Sequence, residues 1–403
     1  MYFQKVCYSV VMNSNLGVEK SGRFIFSKDF DDSVIQSKVQ RLINLQINNK
    51  ENFLKFSRID QEIIKWLSTA ISIVKHSQSD YVNFFDENIF YLSRQEIEWL
   101  VKSADTDVVD YLIYRYKFRT WPRKKILSEF PIHLLIEPTS ICNIRCVMCF
   151  QVDKSFAQKE YMGRMPLDMF NKVIEEASSN SCKAITLASR GEPTLHKDLP
   201  IMLDLISKKN FLDVKLNTNA TKLSEEICRA ILSSGVNELV YSVDAGTKVT
   251  YESIRVGGKF DNVVQNIDLF NEIRRSEFPD SKTVTRISGV KVNASQDINQ
   301  MVEFWAERVD EVTIKPAIPR WDSYNNELTY RMEPCELLWE RLYVWYDGKI
   351  NPCDFDYKSF LSVGNLEDTT IKEAWLGKGY EKLREVHTLG KRSKVMPCDR
   401  CPI

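Results

Sequence analysis

Apolar residues fall on helical spacing through much of the first 125 positions. Val34, Ile35, Val39, Leu42 and Ile43 recur at threes and fours, and Ile63, Ile64, Leu67, Ala70, Ile71 and Val74 repeat the pattern. A further helical run extends from about Arg94 to Phe118, with a break expected near Asp105-Thr106-Asp107, and Trp121-Pro122 then punctuates the chain. The residues ahead of these helices read as a short extended start. From about Pro131 the texture changes to strand and helix in alternation. The strand candidates are IHLLIEP, AITLASR, DVKLNTN, ELVYSVD, TRISGVKVN and DEVTIKPAI. Helical stretches are expected between them near 166–178, 199–209, 223–234, 260–275 and 297–308. Units of this kind imply a parallel sheet with crossover helices, either open or curved toward a barrel, with chemistry at the C-terminal ends of the strands.

From about Arg331 the pattern changes again. WERLYVWYDGKINPCDF predicts two short strands around an Asp347-Gly348 turn, followed by a helix near 369–385. The chain therefore divides into a mainly helical accessory domain over 1–125, an α/β domain over 126–325, and a small third domain over 326–403.

Composition narrows the function. Lys plus Arg total 55 and Asp plus Glu total 55, and a chain with no basic field is poorly suited to nucleic acid. No apolar run approaches the ~18 residues of a membrane span, and the polar start MYFQKVCYSVVMNSN does not read as a signal peptide. The expected location is cytoplasmic, where the ten cysteines are thiols, metal ligands or catalytic groups. Cys7, Cys182 and Cys228 are isolated and read as small buried hydrophobes. The other seven form two sets. Cys142, Cys146 and Cys149 have the spacing C-x3-C-x2-C just beyond the first strand, and Cys335, Cys353, Cys398 and Cys401 lie in the last seventy residues. Three thiolates on a tight loop can hold three irons of a cubic cluster and leave the fourth iron open. Zinc is the rival: its structural sites use C-x2-C pairs with a second pair elsewhere, which the triplet does not supply, while the C-x2-C of Cys398 and Cys401 is also half of a zinc knuckle.

The stretch CNIRCVMC after a strand end resembles the cluster loop of radical S-adenosylmethionine enzymes. Arg190-Gly191-Glu192-Pro193 resembles that family's GGEP segment, LNTNATKLSEE its third-strand segment, and YSVDAGTKVTYESIRVGG its Ser-x-Asp strand end and following Arg helix. Cys335, Gly348, Cys353 and the terminal CDRC resemble the twitch domain, a short form of the SPASM domain. The resemblance implies a partial (β/α)6 barrel carrying a [4Fe-4S] cluster on Cys142, Cys146 and Cys149. It also implies a second, auxiliary [4Fe-4S] cluster on Cys335, Cys353, Cys398 and Cys401. S-adenosylmethionine would be bound by Gly191, Glu192, Asn217, Ser242 and Arg255, with Glu192 opposite its ammonium group and Arg255 opposite its carboxylate. The sequence departs from the family in having Met148 before the last cysteine of the loop and Arg190 in place of the first Gly of GGEP.

Strand alternation predicts that Lys215, Asn217 and Asn219 share the inner face with Ser242 and Asp244, while Val214, Leu216, Tyr241 and Val243 pack outward. Lys215, Arg190 and Glu137 are the candidates for a catalytic base, and His133 reads as structural. Trp339, Tyr343, Trp345 and Tyr346 are expected to pack around the second cluster. The activity implied is that of a radical SAM oxidoreductase. It would abstract hydrogen from a small polar substrate such as a sugar, aminosugar or aminocyclitol, with a flavodoxin- or ferredoxin-type electron donor. The alternative is a peptide- or protein-modifying maturase. Against that alternative, the cysteines suffice for one auxiliary cluster, and the first 125 residues show no clear winged-helix pattern.

Overall fold

Segments with apolar residues buried on the outer face, and an inner face that is buried or half-buried, form the six parallel strands at the centre of the fold. They are β1 (His133–Ile136), β2 (Ala184–Leu187), β3 (Asp213–Thr218), β4 (Glu238–Ser242), β5 (Val284–Lys291) and β6 (Glu311–Pro316). The computed structural model describes residues 7–11, 20–26, 31–73, 88–318 and 321–403. Neighbours in sequence are neighbours in the sheet, in the order β1 to β6, and every one of these pairs is parallel. Crossover helices Leu167–Ser179, Leu199–Ser207, Glu225–Ser233, Phe260–Glu277 and Ile298–Ala306 connect them. This α/β arrangement leaves the sheet open between β6 and β1.

Added strands cover both open edges. Strand Lys20–Phe26 pairs antiparallel with β6, and Cys7–Val11 pairs with it in turn. At the other edge β7 (Arg341–Val344) runs parallel to β1 and begins the predicted hairpin with β8 (Lys349–Asn351). Gly348 turns that hairpin at φ 79°, a conformation glycine adopts without a Cβ penalty. The extended start of the chain is thus part of the central sheet.

The outer faces of the strands and their helices share one core that includes Val214, Leu216, Tyr241 and Val243, so the predicted alternation holds. The helices Asp32–Asn48, Arg58–Ala70, Arg94–Lys102 and Val108–Lys124 have a second core of their own, which Ile132, Ala184 and Leu212 join from the edge of the barrel. Cys182 and Cys228 are buried in the main core as expected, while the Cys7 side chain and Val74 lie outside the described residues.

Three boundaries differ from the sequence reading. Ile71 belongs to the strand Ile71–Ile73 and not to the preceding helix, because β-branched residues that pair with Phe90–Leu92 follow Ala70. The last N-terminal helix runs through Pro122 to Lys124, since a proline in the final turn removes only one hydrogen bond near an end. The helix expected near 369–385 is two, Ile371–Leu376 and Lys378–Thr388, broken at Gly377.

Candidate active site and second cysteine cavity

The loop that follows β1 carries Cys142, Cys146 and Cys149. It is held at three points. Arg145–Cys146 forms a short antiparallel bridge with Arg255–Val256, and Glu192 N–H donates to the Ile141 carbonyl at 2.9 Å. The buried Gln151 side chain donates to the Ser140 carbonyl at 2.8 Å and the Arg190 carbonyl at 2.6 Å, tying the cysteine loop to the turn after β2. At Gly191 the two segments touch. A Cβ there would lie 2.2 Å from the Thr139 carbonyl oxygen and 2.7 Å from that of Ile141, so no other residue fits without moving backbone.

Two side chains address the thiols directly. Arg255 Nη1 lies 3.6 Å from Cys146 Sγ, and Asn219 Nδ2 lies 3.9 Å from Cys142 Sγ. Arg255 is buried and ion-paired to Asp244 at 2.7 Å, while Asp244 also accepts from Val290 N–H. Burial pushes the Cys142 thiol up to about 11 and the Cys149 thiol up to about 12. Burial also raises Cys146, against the pull of Arg255. Loading a metal group here must therefore displace protons, and donors aimed at sulfur suit the thiolates that result.

The five residues expected around S-adenosylmethionine have distinct environments. Glu192 is buried and its carboxylate meets four donors: Thr194 N–H at 3.1 Å and the Thr194 hydroxyl at 2.7 Å, the Thr218 hydroxyl at 2.7 Å, and Asn219 N–H at 2.6 Å. It thereby locks the β2 turn to the end of β3, and an ammonium group would have to share a carboxylate already engaged. Burial raises its pKa above the ordinary value. Gly191 fixes the close approach described above. Asn217 faces the interior with a buried Oδ1 that has no partner, and Ser242 is half-buried on the same lining. Arg255 is committed to Asp244 and the cysteine loop.

The base candidates do not converge on the site. Glu137 and Arg190 form a buried bidentate pair, with Nε–Oε1 at 2.8 Å and Nη2–Oε2 at 2.5 Å. Arg190 also donates to the Tyr357 carbonyl at 2.9 Å, and its guanidinium lies 4.2 Å from the Trp345 ring. Neither group is free for proton transfer. Lys215 is paired to Glu238 at 2.5 Å, toward the N-terminal ends of the strands, where both line a cavity with Glu96 and Arg115 of the N-terminal helices. His133 bonds Thr186 across β1 and β2 at 2.9 Å and is structural, as expected.

In the C-terminal segment, Cys335, Cys353, Cys398 and Cys401 line one cavity whose other walls are largely apolar, including Leu337, Leu338, Phe355, Leu361 and Leu383. Burial raises the Cys335 and Cys353 thiols and pushes the Cys398 thiol up to about 12. The buried Arg392, which lines the same cavity, pulls Cys335 and Cys398 the other way. The hairpin aromatics do not surround this cavity, contrary to expectation. Trp345 and Tyr343 pack with Leu135 inside the barrel, Trp339 enters the main core, and the Tyr346 ring occupies the space a side chain at Gly163 would need. Strand β7 pairs with β1, which turns these rings toward the barrel.

Sequence reasoning missed Gln151, Asn219 as a neighbour of Cys142, and Ser189. Ser189 sits at φ 116° at the end of β2 with a buried hydroxyl that has no partner. Such a backbone, strained for a residue with a Cβ, clusters at functional turns. Its position one residue before Arg190-Gly191-Glu192 was the available signal.

Residues 136–304 match the profile of the Radical SAM superfamily, and residues 335–402 match that of SPASM, an iron-sulfur cluster-binding domain. The tungsten-containing aldehyde ferredoxin oxidoreductase cofactor-modifying protein of Pyrococcus furiosus is 22% identical over 299 residues, covering 62% of this chain and 83% of that protein. A probable GTP 3',8-cyclase of Methanococcus maripaludis is 27% identical over 135 residues, 34% of this chain and 44% of the cyclase, so the match spans under half of that relative. Streptococcus suis SuiB, solved with the precursor peptide SuiA, superposes with a TM-score of 0.53 at 13% identity, over 95% of this chain and 97% of that one. That likeness is one of fold.

Proposed function

Taking as premise that this chain is a radical SAM enzyme with a C-terminal SPASM domain, we propose that it oxidises a small polar substrate, a sugar, aminosugar or aminocyclitol, by abstraction of a hydrogen atom. The bound groups supply the chemistry: reductive cleavage of S-adenosylmethionine to a 5′-deoxyadenosyl radical at one [4Fe-4S] cluster, and an electron sink at a second. In this reading Cys142, Cys146 and Cys149 hold the first cluster, and Cys335, Cys353, Cys398 and Cys401 hold the second. Both donor sets fit, because the cysteines are buried or half-buried, gathered on one loop or one cavity, and accompanied by Arg255 and Arg392 respectively. The nine cysteines whose side chains are described are free thiols, in keeping with a reducing setting, and in this reading the enzyme is cytoplasmic with a flavodoxin- or ferredoxin-type donor. Among the described residues no helix is long and apolar enough to cross a membrane.

The substrate reading rests on one observation. Ser242, Ser288 and Thr313 stand in register across β4, β5 and β6, and the buried Asn217 Oδ1 and Thr313 Oγ1 have no partner among the described residues. Buried hydrogen-bonding atoms left unpaired are costly, and a hydroxylated or amino-substituted ligand would satisfy them. The test is anaerobic incubation with S-adenosylmethionine, a reductant and a panel of deuterated aminocyclitols and sugars. The expected result is deuterium in 5′-deoxyadenosine with a ketone formed in equal amount. Thr313→Val should raise KM for that substrate and leave substrate-free cleavage unchanged. Deuterium transfer from peptides alone would sink the reading. Peptide modification is the second reading, supported by the fold likeness to SuiB, which extends over the N-terminal helices.

A further inference from the structure

Two buried donors that line the four-cysteine cavity have no partner among the described residues, Arg392 Nε and His387 Nε2, and the second belongs to a ring that also holds a cysteine. His387, on the helix Lys378–Thr388, is 1% exposed and lines the cavity with Cys335, Cys353, Cys398 and Cys401. Its Nδ1 accepts from the backbone N–H of Cys335 at 3.1 Å. A neutral imidazole carries one N–H, and an acceptor at Nδ1 places that proton on Nε2. Nε2 is buried and meets no hydrogen-bond partner. A donor buried in a cavity otherwise lined by residues such as Leu338, Phe355 and Leu361 is costly without an acceptor, so a group bound in the cavity would have to receive it.

The geometry points to His387 as a donor, through Nε2–H, to a sulfur of the iron–sulfur cluster held by Cys335, Cys353, Cys398 and Cys401, where it raises that cluster's reduction potential. This rests on the reading that the four cysteines hold a cluster. Reduction adds negative charge to the sulfurs, and a hydrogen bond to a more negative acceptor is stronger, so the donor favours the reduced state. His387 is a positioning residue and not a ligand, because the same tautomer leaves no lone pair on Nε2. It also fixes Cys335 by accepting that residue's backbone N–H, so one ring places a ligand and tunes the group it binds.

Two variants separate the two contacts. In His387→Asn the amide oxygen takes the place of Nδ1 and no donor reaches the position of Nε2. In His387→Gln an amide N–H reaches that position. Each is prepared anaerobically as the full chain, its iron is counted, and the second cluster is titrated by potentiometric EPR, with S-adenosylmethionine added to displace the first cluster's signal. His387→Asn should keep its iron and lower the reduction equilibrium constant of the second cluster about tenfold, which is about 59 mV for a one-electron couple. His387→Gln should stay within about threefold of wild type. A wild-type potential in His387→Asn overturns the inference. If that variant fails to load, the wild type decides: with 15N-histidine, pulsed EPR of the reduced second cluster should show a nitrogen coupling, and its absence overturns the inference. Wild type holding only about four irons overturns the cluster reading itself, an outcome told apart by the iron count alone.

Discussion

Replacing Arg190 with the glycine that the family's motif carries should destabilise this chain severely. The carboxylate of Glu137 is fully buried and receives four donors: Arg190 N–H at 3.1 Å, Nε at 2.8 Å, Nη2 at 2.5 Å, and Tyr346 N–H at 3.2 Å. Arg190→Gly removes both side-chain donors and the only cation among them, and it empties the space between the Trp345 and Phe156 rings. A buried carboxylate without its cation costs about 3–5 kcal/mol. Glu137→Gln alone strands the guanidinium and should cost a similar amount. The double variant strands no charge, so the cycle should show a coupling of about 2–3 kcal/mol. The assay is urea unfolding of the cluster-free chain, followed by tryptophan fluorescence and compared at constant slope. An Arg190→Gly chain within about 1 kcal/mol of wild type, or an additive double variant, would refute the reasoning.

Gly191→Ala should weaken S-adenosylmethionine binding by the iron-loaded enzyme about 5- to 150-fold, because its Cβ would lie 2.2 Å from the Thr139 carbonyl and overpacking of this kind costs about 1–3 kcal/mol; equilibrium binding checks it. Glu311 is pushed by burial from an ordinary 4.5 to about 7, beside Arg286, Glu238 and Gln95. A carboxyl raised on folding contributes stability that is full below pH 4.5 and lost as pH rises through 7. Glu311→Gln should therefore match wild type at pH 4.5 and exceed it by about 2–3 kcal/mol at pH 8, and urea midpoints that move together across this range contradict the assignment. Cys398→Ala should leave S-adenosylmethionine cleavage intact while stopping net product formation, and unchanged turnover by product assay would remove the electron-sink role.

The barrel was legible because its strands alternate apolar residues on the outer face with more polar ones inside, as in Asp213–Thr218 and Val284–Lys291. Asn217 and Ser242 face inward for the same reason that Leu216 and Tyr241 face the helices. The cysteine spacings were legible because local chemistry demands them. What escaped depended on contacts distant in sequence. Arg190 and Glu137 are 53 residues apart, and each alone reads as a polar group near a site; only the folded pairing shows that they neutralise each other. Trp345 reads as a cover for the second cysteine set, but the pairing of β7 with β1 turns it onto Arg190. The strand Lys20–Phe26 is weakly patterned, and its role comes from the open edge of β6 that it meets. His387 carries no local signal, since its meaning lies in a backbone N–H 52 residues away and a cavity built from three further segments.

The central claim is that two cysteine sets hold two clusters with separate tasks. Iron content, measured anaerobically beside 5′-deoxyadenosine formation, tests it most directly. Wild type should hold about eight irons, and a Cys142→Ala/Cys146→Ala/Cys149→Ala chain and a Cys398→Ala/Cys401→Ala chain about four each. Only the second variant should still cleave S-adenosylmethionine. Zinc in place of iron at the C-terminal set, or cleavage that survives loss of Cys142, Cys146 and Cys149, would contradict the account.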